Sequence, residues 1–389
     1  MKRIHILLIS IVILLGCSSS QEEQWPMKID ISKFTANTIS LSEIGDDITY
    51  IPLKIDVPIR HTLSEKLAGN SIFLYASPEA IFRLDYDGNV LSKIGTRGEG
   101  PGEYRYGVTF TVNEQDSLVY VENHTKLITY DFNGNLVKEE NREELLRDFA
   151  TLDYLDGYFY STAPVWVGPS SPKTYWSVAD KNFNQMQIKE DYYTVFSKNG
   201  YNLNEKNTYI FSNKMHYWNN YNDTIFEILP TSYKAKYVFI NNEKKLTPEI
   251  ICQPDILKKQ TRYFIIRNIL ETNEYLIIFY RLDGDYNLCM MNKADNTFSL
   301  VDSSDEYDMG VPNDIDGGLK LTPYGYQVRG NSSYLISKIQ PFELKAHVAS
   351  EAFKNSTPKY PEKKEALEEL ANSLSENDNP VLMLVRLKE

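Results

Sequence analysis

The sequence predicts an all-β fold, and among all-β folds a β-propeller. Three observations carry this. Aromatic residues make up 13% of the chain, with 28 tyrosines among 389 residues, and aromatic side chains favour strands. From about residue 40 the chain reads as short β-branched and aromatic runs separated by turn residues, the pattern of a sandwich, barrel or propeller. One strand–turn–strand unit also recurs. Residues 81–91 (IFRLDYDGNVL) match residues 127–137 (LITYDFNGNLV), with Asp85 over Asp131, Gly88 over Gly134 and Asn89 over Asn135, 46 residues apart. That period suits one four-stranded propeller blade. Weaker echoes lie at 178–184 and 291–296.

The first element is a targeting segment. Residues 1–17 read MKRIHILLISIVILLGC: Lys2 and Arg3 are a positive start, and residues 6–15 are an apolar run broken only by Ser10. The run has the length of a secretory core and is too short to span a bilayer as a stable helix. Its end, Leu14-Leu15-Gly16-Cys17, resembles the bacterial lipobox. The resemblance implies a signal peptide over 1–16, cleavage before Cys17, and diacylglycerol with palmitate-type acyl chains at that residue. Several acyl chains hold firmly, since each buried CH₂ contributes about 0.8 kcal/mol. The expected partner is therefore the membrane, through an N-terminal lipid anchor on an outer-membrane lipoprotein. Residues 17–38 form the lipidated Cys and a tether. Gln21-Glu22-Glu23 in it resembles a surface-export signal; a plain solvated linker reads equally well, which leaves the periplasmic and cell-surface faces both open.

Residues 39–389 are expected to form a single domain. Strands are predicted over 48–53 (ITYIPL), 71–75, 80–85, 117–121, 127–131, 209–212, 225–229, 233–240, 263–269, 275–281 and 286–292. Residues 361–374 (PEKKEALEELANSL) differ: Leu367, Leu370, Ala371 and Leu374 fall at helical spacing, and Pro361 suits a first turn. A final strand follows over 381–387 (VLMLVRL). Pairing of this strand with ITYIPL would close the ring and remove the sheet edges.

Composition narrows the function. Hydrophobic residues are 42% and charged residues 24%, which excludes wholesale disorder. The net charge of −12 argues against nucleic acid as a partner. Cys252 and Cys289 sit in an oxidising compartment on this reading, and pairing or two buried thiols are both open.

The residues from Ile39 to Leu53, the hairpin 85–94, the run Gly95-Thr96-Arg97-Gly98-Glu99-Gly100-Pro101-Gly102-Glu103-Tyr104, the segment 222–226 and the closing 380–387 are similar to six-bladed β-propeller lipoproteins of Bacteroidetes, an NHL-like group. The resemblance covers most of the mature chain and implies six blades. Dividing residues 42–388 by the 46-residue spacing suggests about 7.5; insertions and the helix would absorb the excess. It implies a cell-envelope protein and no settled activity.

Few motifs point to chemistry. The Gly-rich run lacks the Gly-Lys-Ser/Thr ending of a phosphate loop and opens no helix. It reads as a tight crossing between blades near the axis, with Arg97 and Glu103 as candidate channel-lining residues. His61, His124, His216 and His347 are far apart in sequence, with no zinc-protease spacing, so the sequence leaves any metal unassigned. No cofactor is expected. The calcium-like candidate is the loop 314–318 (DIDGG), although Asp-Gly pairs are usually turns. Trp166 and Trp176 flank a Gly-Pro-Ser-Ser-Pro loop, and residues 216–222 (HYWNNYN) mix rings with amides. Rings stack on sugar faces and amides bond hydroxyls, so Trp166, Trp176, Tyr217, Trp218 and Tyr221 are candidate ligand-binding residues; blade packing is the competing explanation. The favoured reading is a non-catalytic envelope propeller that binds a glycan or an envelope protein. The alternatives are a metal-assisted lyase or lactone hydrolase, and a structural accessory subunit of an outer-membrane complex.

Overall fold

The computed structural model describes residues 26–388 apart from 35–36, 38, 60–63, 77–78, 106–108, 124–125, 142–150, 164–165, 168–173, 191–200, 203–206, 252, 254–261 and 304–308. The signal segment, Cys17, Cys252, His61, His124 and the 168–172 loop lie outside the described residues. The strands form six blades in a ring, with a few short helices. No helix among the described residues is long and apolar enough to cross a membrane.

Blades 1 to 5 are each built on four antiparallel strands taken in chain order, first strand at the axis. Blade 1 is Ser64–Ala68, Ser71–Ala76, Ala80–Leu84 and Val90–Ile94. Blade 2 is Thr109–Asn113, Leu118–Asn123, Lys126–Asp131 and Leu136–Asn141. Blade 3 is Thr151–Leu155, Tyr158–Thr162, Thr174–Asp180 and Gln185–Glu190. Blade 4 is Thr208–Phe211, Lys214–Tyr217, Thr224–Ile228 and Tyr233–Ile240. Blade 5 is Ile265–Glu271, Tyr275–Leu282, Asp285–Asn292 and Phe298–Ser303.

Blade 6 is built from both ends of the chain: Gly325–Arg329, Ser332–Ile339, Val381–Leu387 and, outermost, Gly45–Pro52. Ile48 pairs with Val385 and Pro52 with Val381, antiparallel. The expected closure is thus present, and the ring has no free first or last blade. Helices Pro341–Ala349, Glu351–Asn355 and Pro361–Ser373 are inserted between the second and third strands of this blade. The third is the helix predicted from sequence. The first two are too short to show a periodic apolar stripe, yet Leu344, Val348 and Phe353 join Leu367 and Ala371 in the core between blades 5 and 6.

Apolar side chains gather into six clusters, one at each interface between neighbouring blades. Strand alternation assigns them. In Ser71–Ala76, Ile72 and Leu74 face blade 6 while Phe73 and Tyr75 face blade 2. Cys289 is a free buried thiol in the cluster between blades 4 and 5, and burial pushes its pKa up.

The repeat seen in sequence is the turn between the third and fourth strands. Asp85 Oδ1 accepts from the backbone N–H of Asp87 (3.0 Å) and Asn89 (2.8 Å), and its Oδ2 accepts from the Asn89 amide (3.0 Å). Asp131 repeats these bonds with Asn133 and Asn135, and Asp180 with Asn182 and Asn184. Asn292 accepts from Ala294 N–H at the same place in blade 5. The glycine is required twice over. Gly134 has φ +87°, and a Cβ there would lie 2.1 Å from the carbonyl oxygen of Lys93 on the outer strand of blade 1. Blade 3 carries Phe183 in that position at φ +65°, its ring stacked 4.6 Å from Phe159.

Met27–Asp30, within the stretch read as tether, adds a fifth strand parallel to Tyr237–Ile240 on the outside of blade 4. Ile29 is fully buried there.

Candidate functional site

The first strands converge on the axis. Tyr154 N–H of blade 3 donates to Thr111 Oγ1 of blade 2 at 2.9 Å, and Leu67 N–H of blade 1 donates to Gln327 Oε1 of blade 6 at 3.2 Å. Lys66 of blade 1 reaches past blade 2 to Asp153 of blade 3, Nζ to Oδ1 2.5 Å. This ion pair lines two chambers. One, of about 720 Å³, lies toward the ends of the first strands and includes Asn113, Asp156, Phe211, Ser212 and Val328. The other, of about 600 Å³, lies toward their beginnings.

The 600 Å³ chamber has the more selective lining. Tyr286 and Tyr324 supply partly exposed aromatic wall, backed by Tyr280, Phe110 and Phe279 from the packing between blades. Thr109, Thr151, Thr208 and Thr322 also line it, the hydroxyls of Thr151 and Thr322 being engaged by Thr162 and the Met309 carbonyl. Arg267 and Lys338 also line it, and neither makes an ion pair or side-chain hydrogen bond among the described residues. Beside Arg267, Asn268 donates its amide to the Tyr324 carbonyl (3.3 Å), while its buried Oδ1 has no partner among the described residues. Burial pushes the Tyr324 hydroxyl pKa well up, and the neighbouring Glu65 carboxylate adds to this. The arrangement joins aromatic faces, hydroxyls and a guanidinium without an ion pair among the described residues in one concave space, which suits a polar ring-shaped ligand carrying negative charge.

The aromatic residues singled out in the sequence lie elsewhere. Trp176 and Tyr217 are 1% and 0% exposed, with ring centroids 5.1 Å apart between blades 3 and 4; Tyr221 joins them. Trp218 is 1% exposed on the opposite side of blade 4. Packing occupies these rings, so they present no face to a sugar. The amides are also used within the fold: Asn219 Oδ1 accepts from Tyr221 N–H (2.9 Å), and Asn220 exchanges two hydrogen bonds with the Ile266 backbone (2.7 and 3.0 Å). The backbone of Trp166 pairs with Asn202, and its side chain is outside the described set.

Arg97 and Glu103 line neither axial chamber. The Gly-rich run is the expected crossing from blade 1 to blade 2, but it sits against the outer strand of blade 2 rather than near the axis. Gly102 N–H donates to Glu139 Oε2 there (2.7 Å), and Tyr130 donates to the Gly102 carbonyl (2.7 Å). Glu103 folds back on its own loop, accepting from Gly100 N–H at 2.8 Å, and Arg97 is exposed at the rim. The carboxylates of 314–318 are likewise engaged. Asp314 accepts from Ser42 N–H (2.7 Å) and Oγ (2.6 Å), and Asp316 from Tyr50 (2.9 Å) and Asn313 (2.7 Å). These bonds fasten the N-terminal segment to blade 6. Among the described residues, no three His, Cys, Asp or Glu side chains are grouped to hold a metal.

Sequence reasoning gave no sign of an ionic cluster between blades 4 and 5. Glu271, at the end of the first strand of blade 5, is 1% exposed. It receives Lys236 (2.9 and 2.8 Å), Lys293 (3.1 Å), Tyr209 (3.0 Å) and Tyr237 (2.9 Å). Although burial opposes its charge, Lys236 and then Lys293 hold its pKa below the usual carboxylate value. His216 is fully buried, stacked on Tyr209 at 4.6 Å, with Nε2 3.1 Å from Lys236 Nζ; burial lowers its pKa. Glu227 is held at about 2 by His216 and by Lys214 and Lys234. The signal available in sequence was the alternation Lys214-x-His216 and Lys234-x-Lys236, which puts each pair on one strand face.

A crystal structure of a Bacteroides fragilis protein named "Putative exported protein" superposes with a TM-score of 0.71 at 15% identity, over 93% of this chain and 99% of that one. That likeness shows the fold. The WD40 domain of Pan2 from Neurospora crassa matches at a TM-score of 0.37 and 10% identity, over 70% of each chain. No curated protein matches. A family description does, over residues 26–386, which is nearly the whole ring: the chain belongs to the family Domain of unknown function (DUF4934).

Proposed function

We propose that the protein is an exported propeller, held at the cell envelope by a lipid on Cys17, that binds a glycan bearing an acidic sugar at its axis without transforming it. The observation that carries the ligand reading is the 600 Å³ chamber, in which Arg267 and Lys338, without an ion pair among the described residues, stand beside the partly exposed rings of Tyr286 and Tyr324. A guanidinium takes a carboxylate with two parallel hydrogen bonds, and a tyrosine face takes the sugar ring. The unpartnered Asn268 Oδ1 accepts from a hydroxyl. The lipobox-like Leu14-Leu15-Gly16-Cys17 supports the anchor, and the exported character ascribed to the Bacteroides fragilis neighbour supports the compartment.

The test is calorimetric titration of the chain lacking residues 1–24 with oligogalacturonides and with neutral oligosaccharides of the same length. Binding of the acidic series, lost in Arg267→Ala and weakened in Tyr286→Ala, is expected. Equal binding of neutral and acidic sugars, or full affinity in Arg267→Ala, would remove the axial chamber from consideration. Labelled palmitate incorporated in the host, and absent from Cys17→Ala, tests the anchor separately.

A further inference from the structure

A third cavity, of about 810 Å³, opens between blades 4 and 5 above the buried ionic cluster. Its lining includes five lysines, Lys28, Lys214, Lys234, Lys236 and Lys293, against two carboxylates, Glu227 and Glu271. This is a cationic hollow in a chain of net charge −12. Each carboxylate is shared by two ammonium groups: Glu227 by Lys214 (3.3 Å) and Lys234 (3.4 Å), Glu271 by Lys236 (2.8 Å) and Lys293 (3.1 Å). The sharing leaves an excess of positive charge in each half, and exposed Lys28 adds to it at the rim. The carboxylates are nearly buried, at 4% and 1% side-chain exposure, so they act as fixed posts that hold the lysines in convergence. Ordering four flexible side chains in advance removes a cost that binding would otherwise carry. Phe211 forms one wall, with Lys293 and Lys236 Nζ 4.2 and 4.8 Å from its ring centroid.

We propose that this cleft is a second binding site, independent of the axial one, that takes the phosphate group of a phosphomonoester. The cations are all lysines. Ammonium groups are point charges that approach a tetrahedral anion from several directions, whereas flat carboxylates favour the guanidinium fork. A phosphomonoester carries about −1.5 to −2 charge near pH 7, which suits an excess distributed over two carboxylate-bridged lysine pairs better than a single carboxylate does. Two sources share this chemistry: a phosphate-bearing lipid headgroup and a soluble phosphomonoester. The wall Pro26–Lys28 lies nine residues beyond Cys17, at most about 30 Å of extended chain. On the reading that Cys17 is the anchor, the cleft is held within reach of the bilayer surface, and the headgroup is the favoured source.

The ring is closed by residues 26–388 alone, so the chain lacking residues 1–24 serves for the test. It is titrated with glycerol 3-phosphate at low ionic strength, then sedimented with vesicles of phosphatidylcholine containing 30% phosphatidic acid or none. Binding of glycerol 3-phosphate, weakened at least tenfold in the double variant Lys28→Glu, Lys234→Glu and unchanged in Arg267→Ala, is expected. Both substituted lysines are at the exposed edge, so folding should be retained, and circular dichroism checks it. Sedimentation with acidic vesicles, blocked by glycerol 3-phosphate, assigns the headgroup; binding of the soluble probe without sedimentation assigns a soluble phosphomonoester. Absence of binding to both probes, unaltered affinity in the double variant, or galacturonate binding as tightly as glycerol 3-phosphate would each overturn the phosphate site. Because Arg267→Ala separates the two cavities, failure of one reading leaves the other standing.

Discussion

Blade 4 has two faces made from the same strands, and they follow opposite physical strategies. Toward blade 3 it presents Met215, Tyr217, Phe226 and Ile228, which pack with Tyr175 and Trp176 into an aromatic seam. Toward blade 5 it presents Tyr209, Lys214, His216, Glu227, Lys234 and Lys236, which meet Glu271 and Lys293 in a buried ionic network. His216 and Tyr217 are neighbours in sequence and end in different interfaces, because successive side chains of a strand point to opposite sides. The aromatic seam is stabilised by area removed from water and by ring contacts. The ionic face stabilises little by comparison, since desolvation offsets most of the attraction between its charges. Its value lies in holding cations in place where a ligand can reach them.

The largest effect expected from that contrast is at Glu271. Glu271→Ala leaves Lys236 buried without its counter-charge and strands the hydroxyls of Tyr209 and Tyr237, a loss of about 3–5 kcal/mol of unfolding free energy. Adding Lys236→Met should restore a large part of it. A double-mutant cycle in urea that shows simple additivity would mean the network is not coupled. On the aromatic face, Trp176→Ala should cost about 3–5 kcal/mol through the cavity it leaves, and no charge change on the other face should rescue it. Recovery of stability by a substitution at Lys236 would break the distinction between the two faces.

A pH series sharpens the same contrast with a smaller effect. Glu227 is held at about 2 in the fold, below its ordinary 4.5. A carboxyl whose folded pKa is depressed adds stability that is complete above the unfolded value and is lost as pH falls toward the folded one. The urea midpoint should therefore decline between about pH 5 and pH 2, and Glu227→Gln should flatten part of that decline. An unchanged slope in the variant would show that His216 and the lysines around Glu227 do not hold its carboxyl down. The smallest effect is expected at Arg267, which is exposed on the axis with no ion pair among the described residues. Arg267→Ala should change stability by no more than about 0.5 kcal/mol while abolishing acidic glycan binding, so a large loss of stability would mean a structural role.

Some regions were easier to read than others, for identifiable reasons. The outer hairpins were legible because their turns require particular residues: an Asp that caps its own backbone and a Gly or Asn at positive φ. Even the weak echo at Asp180–Asn184 makes the same bonds as the strong copies. The axial strands were mostly missed. Ser64–Ala68, Thr109–Asn113, Thr151–Leu155 and Gly325–Arg329 carry polar residues because they border the channel, and a strand wet on one edge loses the apolar signature. The candidate site shares that fate, since Arg267, Asn268 and Tyr324 come from blade 5 and the segment leading into blade 6, far from any local motif.

The sequence by itself determined the class of fold, the turn repeat and the C-terminal helix, because each depends on local periodicity or on backbone conformations open to few residues; the pairing of the two chain ends followed from the fold class, since a closed ring needs it. Only the tertiary structure decided which residues stand beside one another across the ring. It placed the conspicuous Trp and Tyr cluster inside the packing, moved the Gly-rich run to the rim, and brought Glu271 and Lys293 of blade 5 to the lysines of blade 4. Those contacts depend on how six sheets close around an axis, and residues dozens of positions apart acquire a common chemistry only when that closure brings them within hydrogen-bonding distance.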